Sequence, residues 1–194
     1  MKVRAENFLL NNKTPLLRKI IVTGLDQTLI EFIKTDIVKR FKSKKYFIEK
    51  SENINVNSFG DLFSDEKILF LLDVGSAKKL DFDSVNFFDN SMLIAAPNSK
   101  NLNAIKSKFL KTNDCTVIEC YALNRPGKQM VIKDFLIKQN INLSKDVFWF
   151  LLENLSNEYV FLLEQLNILK LYGKKIDTVK SVENILVLES KIDI

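Results

Sequence analysis

Short apolar runs alternate with stretches of helical periodicity through the first two thirds of the chain. Lys19–Thr23, Tyr46–Ile48, Lys67–Asp73, Met92–Ala96 and Thr116–Cys120 read as five strands. The first runs into the turn Gly24-Leu25-Asp26, where Asp26 is placed to cap a helix. Ile30, Ile33, Ile37 and Phe41 then recur at helical spacing. Pro97 closes the fourth strand, and Leu102, Ile105, Phe109 and Leu110 mark the helix after it. The stretch Gly75–Asn90 carries no clear pattern. Continuous apolar strands separated by helices predict a parallel sheet covered on both faces, with right-handed crossovers.

Arg125-Pro126-Gly127 predicts a break, and only helices follow it. One runs from Gln129 to Gln139. Ser144 caps the next, which carries Val147, Phe148, Leu151 and Leu152. A third runs from Asn157 to Tyr172 and stops at Gly173. Asp177 caps a fourth, with Val179, Val182, Ile185 and Leu186 on its inner side. The predicted fold is therefore α/β: a parallel five-stranded sheet with flanking helices over residues 1–126, then a small all-helical domain over 127–194. Trp149, between Phe148 and Phe150, reads as core or interface.

Leu62 and Phe63 break the pattern. They stand between Asp61 and Ser64-Asp65-Glu66, just before the third strand. Two readings fit. The pair is a loop surface held out for a partner, or both side chains tuck under the sheet as core, which spacing alone favours.

Composition narrows the chemistry. The chain has 194 residues, long enough for one large domain or two small ones, and no histidine. That removes the commonest general base and transition-metal ligand, so no Ser-His-Asp or Cys-His site exists within it. Cys115 and Cys120 sit at the two ends of one short extended segment, too far apart for a disulfide, and two thiols without histidine make no zinc site. No apolar run approaches the roughly 20 residues of a membrane span. Met1-Lys-Val-Arg-Ala-Glu lacks the apolar stretch of a secretory signal, so a cytoplasmic protein is expected. The net charge of +5 is concentrated in Lys39, Arg40, Lys42, Lys44 and Lys45, with Lys174-Lys175 a second cluster. The five read either as a solvated helix end, the more ordinary case, or as a weak phosphate-facing surface.

A strand, a glycine turn and a helix are the setting of a phosphate-binding loop. Such a loop needs several glycines and a lysine followed by Ser or Thr. Gly24-Leu-Asp-Gln-Thr-Leu29 has one glycine and no lysine, and Asp26 puts negative charge where a phosphate would sit. Asp73 ends an apolar strand, as magnesium-holding aspartates do in P-loop enzymes, but Val74 stands where a water-orienting glutamate belongs. Asp73 reads as a strand-end residue. No carboxylate pair suggests acid–base work, and no cofactor is expected.

The order of elements resembles the delta subunit of the bacterial DNA polymerase III clamp loader, over its first two domains. Three segments carry this: Ile20-Ile-Val-Thr-Gly24-Leu-Asp26-Gln-Thr-Leu29; Asp61-Leu62-Phe63-Ser-Asp-Glu-Lys67-Ile-Leu-Phe-Leu; and Asn157-Glu-Tyr-Val-Phe-Leu-Leu-Glu164 through Tyr172 to Asp177. Leu93-Ile-Ala-Ala-Pro97 and Val117-Ile-Glu-Cys120 fall in order between them. Three features depart from the family. The stretch before Leu62 is short, Asn157-Glu158 replaces a common Gly-Asp, and Gly60 stands at an often apolar position beside Phe59.

The resemblance implies an AAA+-like domain with a degenerate nucleotide site and a helical lid-like domain, without the collar domain that normally follows. It implies a non-catalytic subunit of the DNA polymerase III holoenzyme. Phe59, Gly60, Leu62 and Phe63 would bind the sliding clamp and favour its open ring, ATP being handled by other loader subunits. Those subunits would be further partners, with primer–template DNA touched weakly through Lys39, Arg40, Lys42, Lys44 and Lys45. A stand-alone basic helical DNA-binding module and a degenerate P-loop-like enzyme are the alternatives.

Overall fold

The computed structural model describes residues 1–11, 14–51, 67–79, 90–172 and 178–189. The chain divides into two compact units, Met1–Tyr121 and Ala122–Ile194.

The first unit is built on an all-parallel sheet. Its strands are β1 (Lys2–Arg4), β2 (Lys19–Gly24), β3 (Phe47–Ser51), β4 (Ile68–Leu72), β5 (Ser91–Pro97) and β6 (Cys115–Cys120). They lie in the order β1-β6-β2-β5-β4-β3. The sheet therefore has six strands, not the five predicted. The addition is β1, whose Lys2, Val3 and Arg4 register with Val117, Ile118 and Glu119 of β6. Three residues with one apolar side chain make no run that a pattern can detect. The strand is held by pairing to a neighbour more than a hundred positions away, and Lys2 Nζ lies 3.0 Å from Glu119 Oε2. The short helix α1 (Ala5–Leu10) follows at once and buries Phe8 completely.

The centre of the sheet is as apolar as the pattern requires. Ile20, Ile21 and Val22 of β2 are fully buried, alternate side chains facing opposite layers. On one face, Ile21, Phe70, Met92, Ile94 and Val117 form one cluster with Leu102, Ile105 and Phe109 of α4 (Lys100–Phe109) and Ala77 of α3 (Val74–Lys79). On the other, α2 (Gln27–Ser43) lies along β2 and β5 and buries Leu29, Ile30, Ile33, Ile37 and Phe41. Leu110 departs from expectation: it is 42% exposed. It caps α4 beyond its last turn, rotated off the face shared by 102, 105 and 109.

The second unit holds α5 (Arg125–Lys138), α6 (Lys145–Asn154), α7 (Tyr159–Tyr172) and α8 (Val179–Glu189). Val131, Ile132, Val147, Leu151, Leu162, Leu166 and Val182 are among its core side chains. Arg125-Pro126-Gly127 is the first turn of α5 rather than a break before a helix. Proline fits there because the first amides of a helix have no intrahelical acceptor, and Asn124 caps the turn by accepting from Gly127 N at 2.9 Å. Ser144 caps α6 as predicted, its Oγ accepting from Val147 N. Trp149 lies on the surface, 46% exposed. Gly173 and Asp177 lie outside the described residues. Thr178 Oγ1 accepts from Ser181 N at 3.2 Å at the start of α8.

Candidate functional site

In open α/β sheets, ligands bind at the carboxyl ends of the strands, where the strand order reverses. Here that point is the end of β2, between β5 and β6, and it is where the Gly24-Leu25-Asp26 turn sits. Gly24 faces Cys120 so closely that a Cβ on it would lie 1.8 Å from the Cys120 carbonyl oxygen. Leu25 N and Asp26 N both donate to that same oxygen, at 3.0 and 3.2 Å. Asp26 Oδ1 accepts from Leu29 N at 2.9 Å and caps α2. The amides that a phosphate-binding loop would aim at an anion are thus spent on a backbone carbonyl, and a carboxylate stands at the helix N-terminus. Asp26 Oδ2 finds no hydrogen-bond partner among the described residues.

A polar network ties the neighbouring strand ends together. Thr23 Oγ1 donates to Asn98 Oδ1 at 2.9 Å, Asn98 Nδ2 donates to Tyr121 Oη at 3.0 Å, and Asn98 N donates to Gly24 O at 3.0 Å. The ends of β2, β5 and β6 are locked by side chains as well as by the ladder. Nothing in the sequence singles out Asn98 and Tyr121, because each follows a strand singly and only the parallel pairing brings them together.

Asp73, at the end of β4, is exposed. It accepts from Ser76 N at 2.8 Å and from Ser76 Oγ at 2.7 Å. Those bonds hold its carboxyl below the usual aspartate range, the Ser76 hydroxyl contributing most. Its geometry is that of a cap on α3, in keeping with a strand-end role. Among the described residues no group of three His, Cys, Asp or Glu side chains is placed to hold a metal ion.

Phe59, Gly60, Leu62 and Phe63 lie outside the described residues. The basic cluster lies within them. Lys39, Arg40 and Lys42 occupy the last turns of α2, and Lys44 and Lys45 the turn beyond. Lys39, Lys42, Lys44 and Lys45 are exposed. Arg40 is not: its Nε lies 2.7 Å from Asp36 Oδ2, and its guanidinium stacks 4.6 Å from the Phe8 ring centroid. Four cations therefore face outward at one helix end, where they also complement the negative end of the helix dipole. Cys115 and Cys120 are buried free thiols, both pushed up to about 12 by burial. No helix among the described residues is long and apolar enough to cross a membrane.

The described residues form an α/β fold with an all-parallel sheet and flanking helices, and this fold is shared with solved structures. AMPPCP-bound DnaA from Aquifex aeolicus superposes with a TM-score of 0.50 at 18% identity, over 92% of this chain and 63% of that one. The RuvB Holliday junction branch migration motor of Thermotoga maritima gives 0.48 at 8% identity, over 95% and 65%. Domain III of Thermotoga maritima DnaA gives 0.44 at 16% identity, over 96% and 82%. The chain spans under two thirds of the Aquifex aeolicus DnaA and Thermotoga maritima RuvB chains. No protein-family model matches the sequence, and no curated protein does.

Proposed function

We propose that this chain is a non-hydrolysing AAA+-like subunit of a replicative clamp loader, of the delta type, which binds the sliding clamp and favours its open ring. The observation that carries the non-hydrolysing part is the closed turn after β2, where both amides beyond Gly24 bond to Cys120 O. The ordered sequence motifs support the delta assignment, with Leu62 and Phe63 as apolar anchors for a pocket on the clamp. Each such side chain is worth roughly 1.5–3 kcal/mol when fully buried, and two at the centre of a small interface can dominate its affinity. No bond is made or broken. Opening follows only from tighter binding to the open ring than to the closed one. On this reading residues 1–126 form the clamp-binding domain and 127–194 the lid-like one. The other loader subunits supply ATP turnover, and Lys39, Lys42, Lys44 and Lys45 approach primer–template phosphates only in the assembled loader.

A surface-binding assay against the cognate clamp tests the reading. The chain is expected to bind, and Leu62→Ala with Phe63→Ala to abolish binding, with Phe59 and Gly60 substitutions weaker in effect. Unchanged clamp binding by the double variant would remove the proposed anchor. Release of phosphate from ATP by the chain alone would favour a P-loop-like enzyme instead.

A further inference from the structure

A groove of about 760 Å³ opens on the helical unit between the end of α5 and the start of α6. Its shape comes from a helix stop. Asn140 adopts a left-handed conformation, with φ 54°. Asn140 N then bonds to Ile137 O and Ile141 N to Leu136 O, which reverses the chain and sets Ile141 against Leu136. Ile137 is left 79% exposed on one rim, and Trp149 is 46% exposed on the other.

The aromatic side is braced. Phe148 meets Trp149 edge-on at 5.8 Å. The Arg125 guanidinium lies 5.6 Å from the Trp149 ring centroid and is itself held by Glu153 at 2.5 Å. Lys133 Nζ sits 5.9 Å from the Phe148 ring centroid. Rings held in advance lose little freedom when something docks on them.

Charge identifies the occupant. The described lining includes two lysines, Lys133 and Lys145, and no carboxylate. The nearby acids are engaged or outside it. Asp134 is paired with Lys138 at 2.8 Å, Glu153 with Arg125, and Asp146 is not among the lining residues. A basic rim around an aliphatic and aromatic floor fits a segment that is apolar in the middle and negative on both sides. Nucleic acid fits less well. One face of Trp149 is covered by Arg125, aliphatic side chains make up much of the floor, and two lysines form no track for a phosphate backbone.

We propose that this groove docks a short acidic segment of a partner protein, with a bulky apolar side chain seated among Ile137, Phe148 and Trp149 and carboxylates facing Lys133 and Lys145. The proposal does not depend on the clamp reading.

Trp149 is the chain's one tryptophan, so its fluorescence reports the groove directly. The full chain is titrated with short acetylated peptides carrying a central Leu, Ile, Met or Phe pair flanked by Asp and Glu. The controls are lysine-flanked and alanine-centred counterparts, and oligothymidylate. A saturable spectral shift is expected with the acidic apolar peptides, about tenfold weaker with either peptide control and with Ile137→Asp, and weaker in high salt. Lys133→Glu with Lys145→Glu should reverse the preference toward lysine-flanked peptides, an outcome that misfolding cannot mimic. The proposal is overturned by the absence of any shift with the acidic peptides, by equal binding of lysine-flanked ones, or by indifference to these substitutions. Tighter binding of oligothymidylate overturns it in favour of nucleic acid. A dimer of the free chain that Ile137→Asp dissolves overturns it in favour of a second copy.

Discussion

Gly24 stands where the chain has no room for a side chain. A methyl group there would run into the Cys120 carbonyl, and the neighbour is backbone that cannot turn aside. Gly24→Ala is expected to cost about 1–3 kcal/mol or more, read as a lower urea midpoint; an unchanged midpoint would mean that the two strand ends lie further apart. The glycine is visible in the sequence as a turn residue, but its steric reason belongs to a partner almost a hundred positions on. Lys128 is a second residue whose role only the fold reveals. It is 3% exposed, and its Nζ donates to Leu155 O. Burial lowers its pKa from the ordinary 10.5, against a smaller opposing pull from Glu153. The unfolded chain then holds that proton more tightly than the folded one. Stability should rise as pH climbs from the folded value toward 10.5 and level off above it. Urea midpoints across this alkaline window should show the gain in the parent chain and its loss in Lys128→Met.

At the level of elements, helix ends explain the basic cluster better than composition does. α2 finishes with Lys45 N bonding to Lys42 O and Tyr46 N to Phe41 O, while the Tyr46 ring meets Phe41 edge-on at 4.8 Å. This closure calls for a left-handed residue after the cap, and Lys45 supplies it at φ 64°. A side chain there costs roughly 1–2 kcal/mol that glycine avoids. Lys45→Gly should therefore raise the melting temperature, whereas Lys44→Gly, one position earlier at φ −93°, should not; equal effects would count against the closure. In β6 the two thiols are held neutral by burial. Alkylation at neutral pH should leave both unmodified until denaturant is added, since the thiolate is the reactive form. The helix starts at Asp26, Ser99 and Ser144 follow from capping chemistry that is local in sequence. α5 starts earlier than the pattern predicts, because Pro126 and Gly127 carry a breaker signal when read alone and the Asn124 cap turns them into a first turn.

For the whole molecule, the closed turn and the missing phosphate-loop lysine lead to one expectation. Millimolar Mg-ATP should leave the thermal midpoint unmoved, because a ligand stabilises a fold only by binding it. A concentration-dependent rise would show that the turn opens for nucleotide. The residues by themselves determined the alternation of buried strands and amphipathic helices, the change to helices alone in the last third, and the lack of histidine chemistry. These are local properties: period, capping and composition act within a few positions. The sixth strand, the Thr23–Asn98–Tyr121 network, the stacking of Arg40 on Phe8, and the braced groove beside Trp149 were decided by tertiary structure. Each depends on groups that only folding brings together, and pairing across a sheet or between helices leaves no periodic trace in either partner.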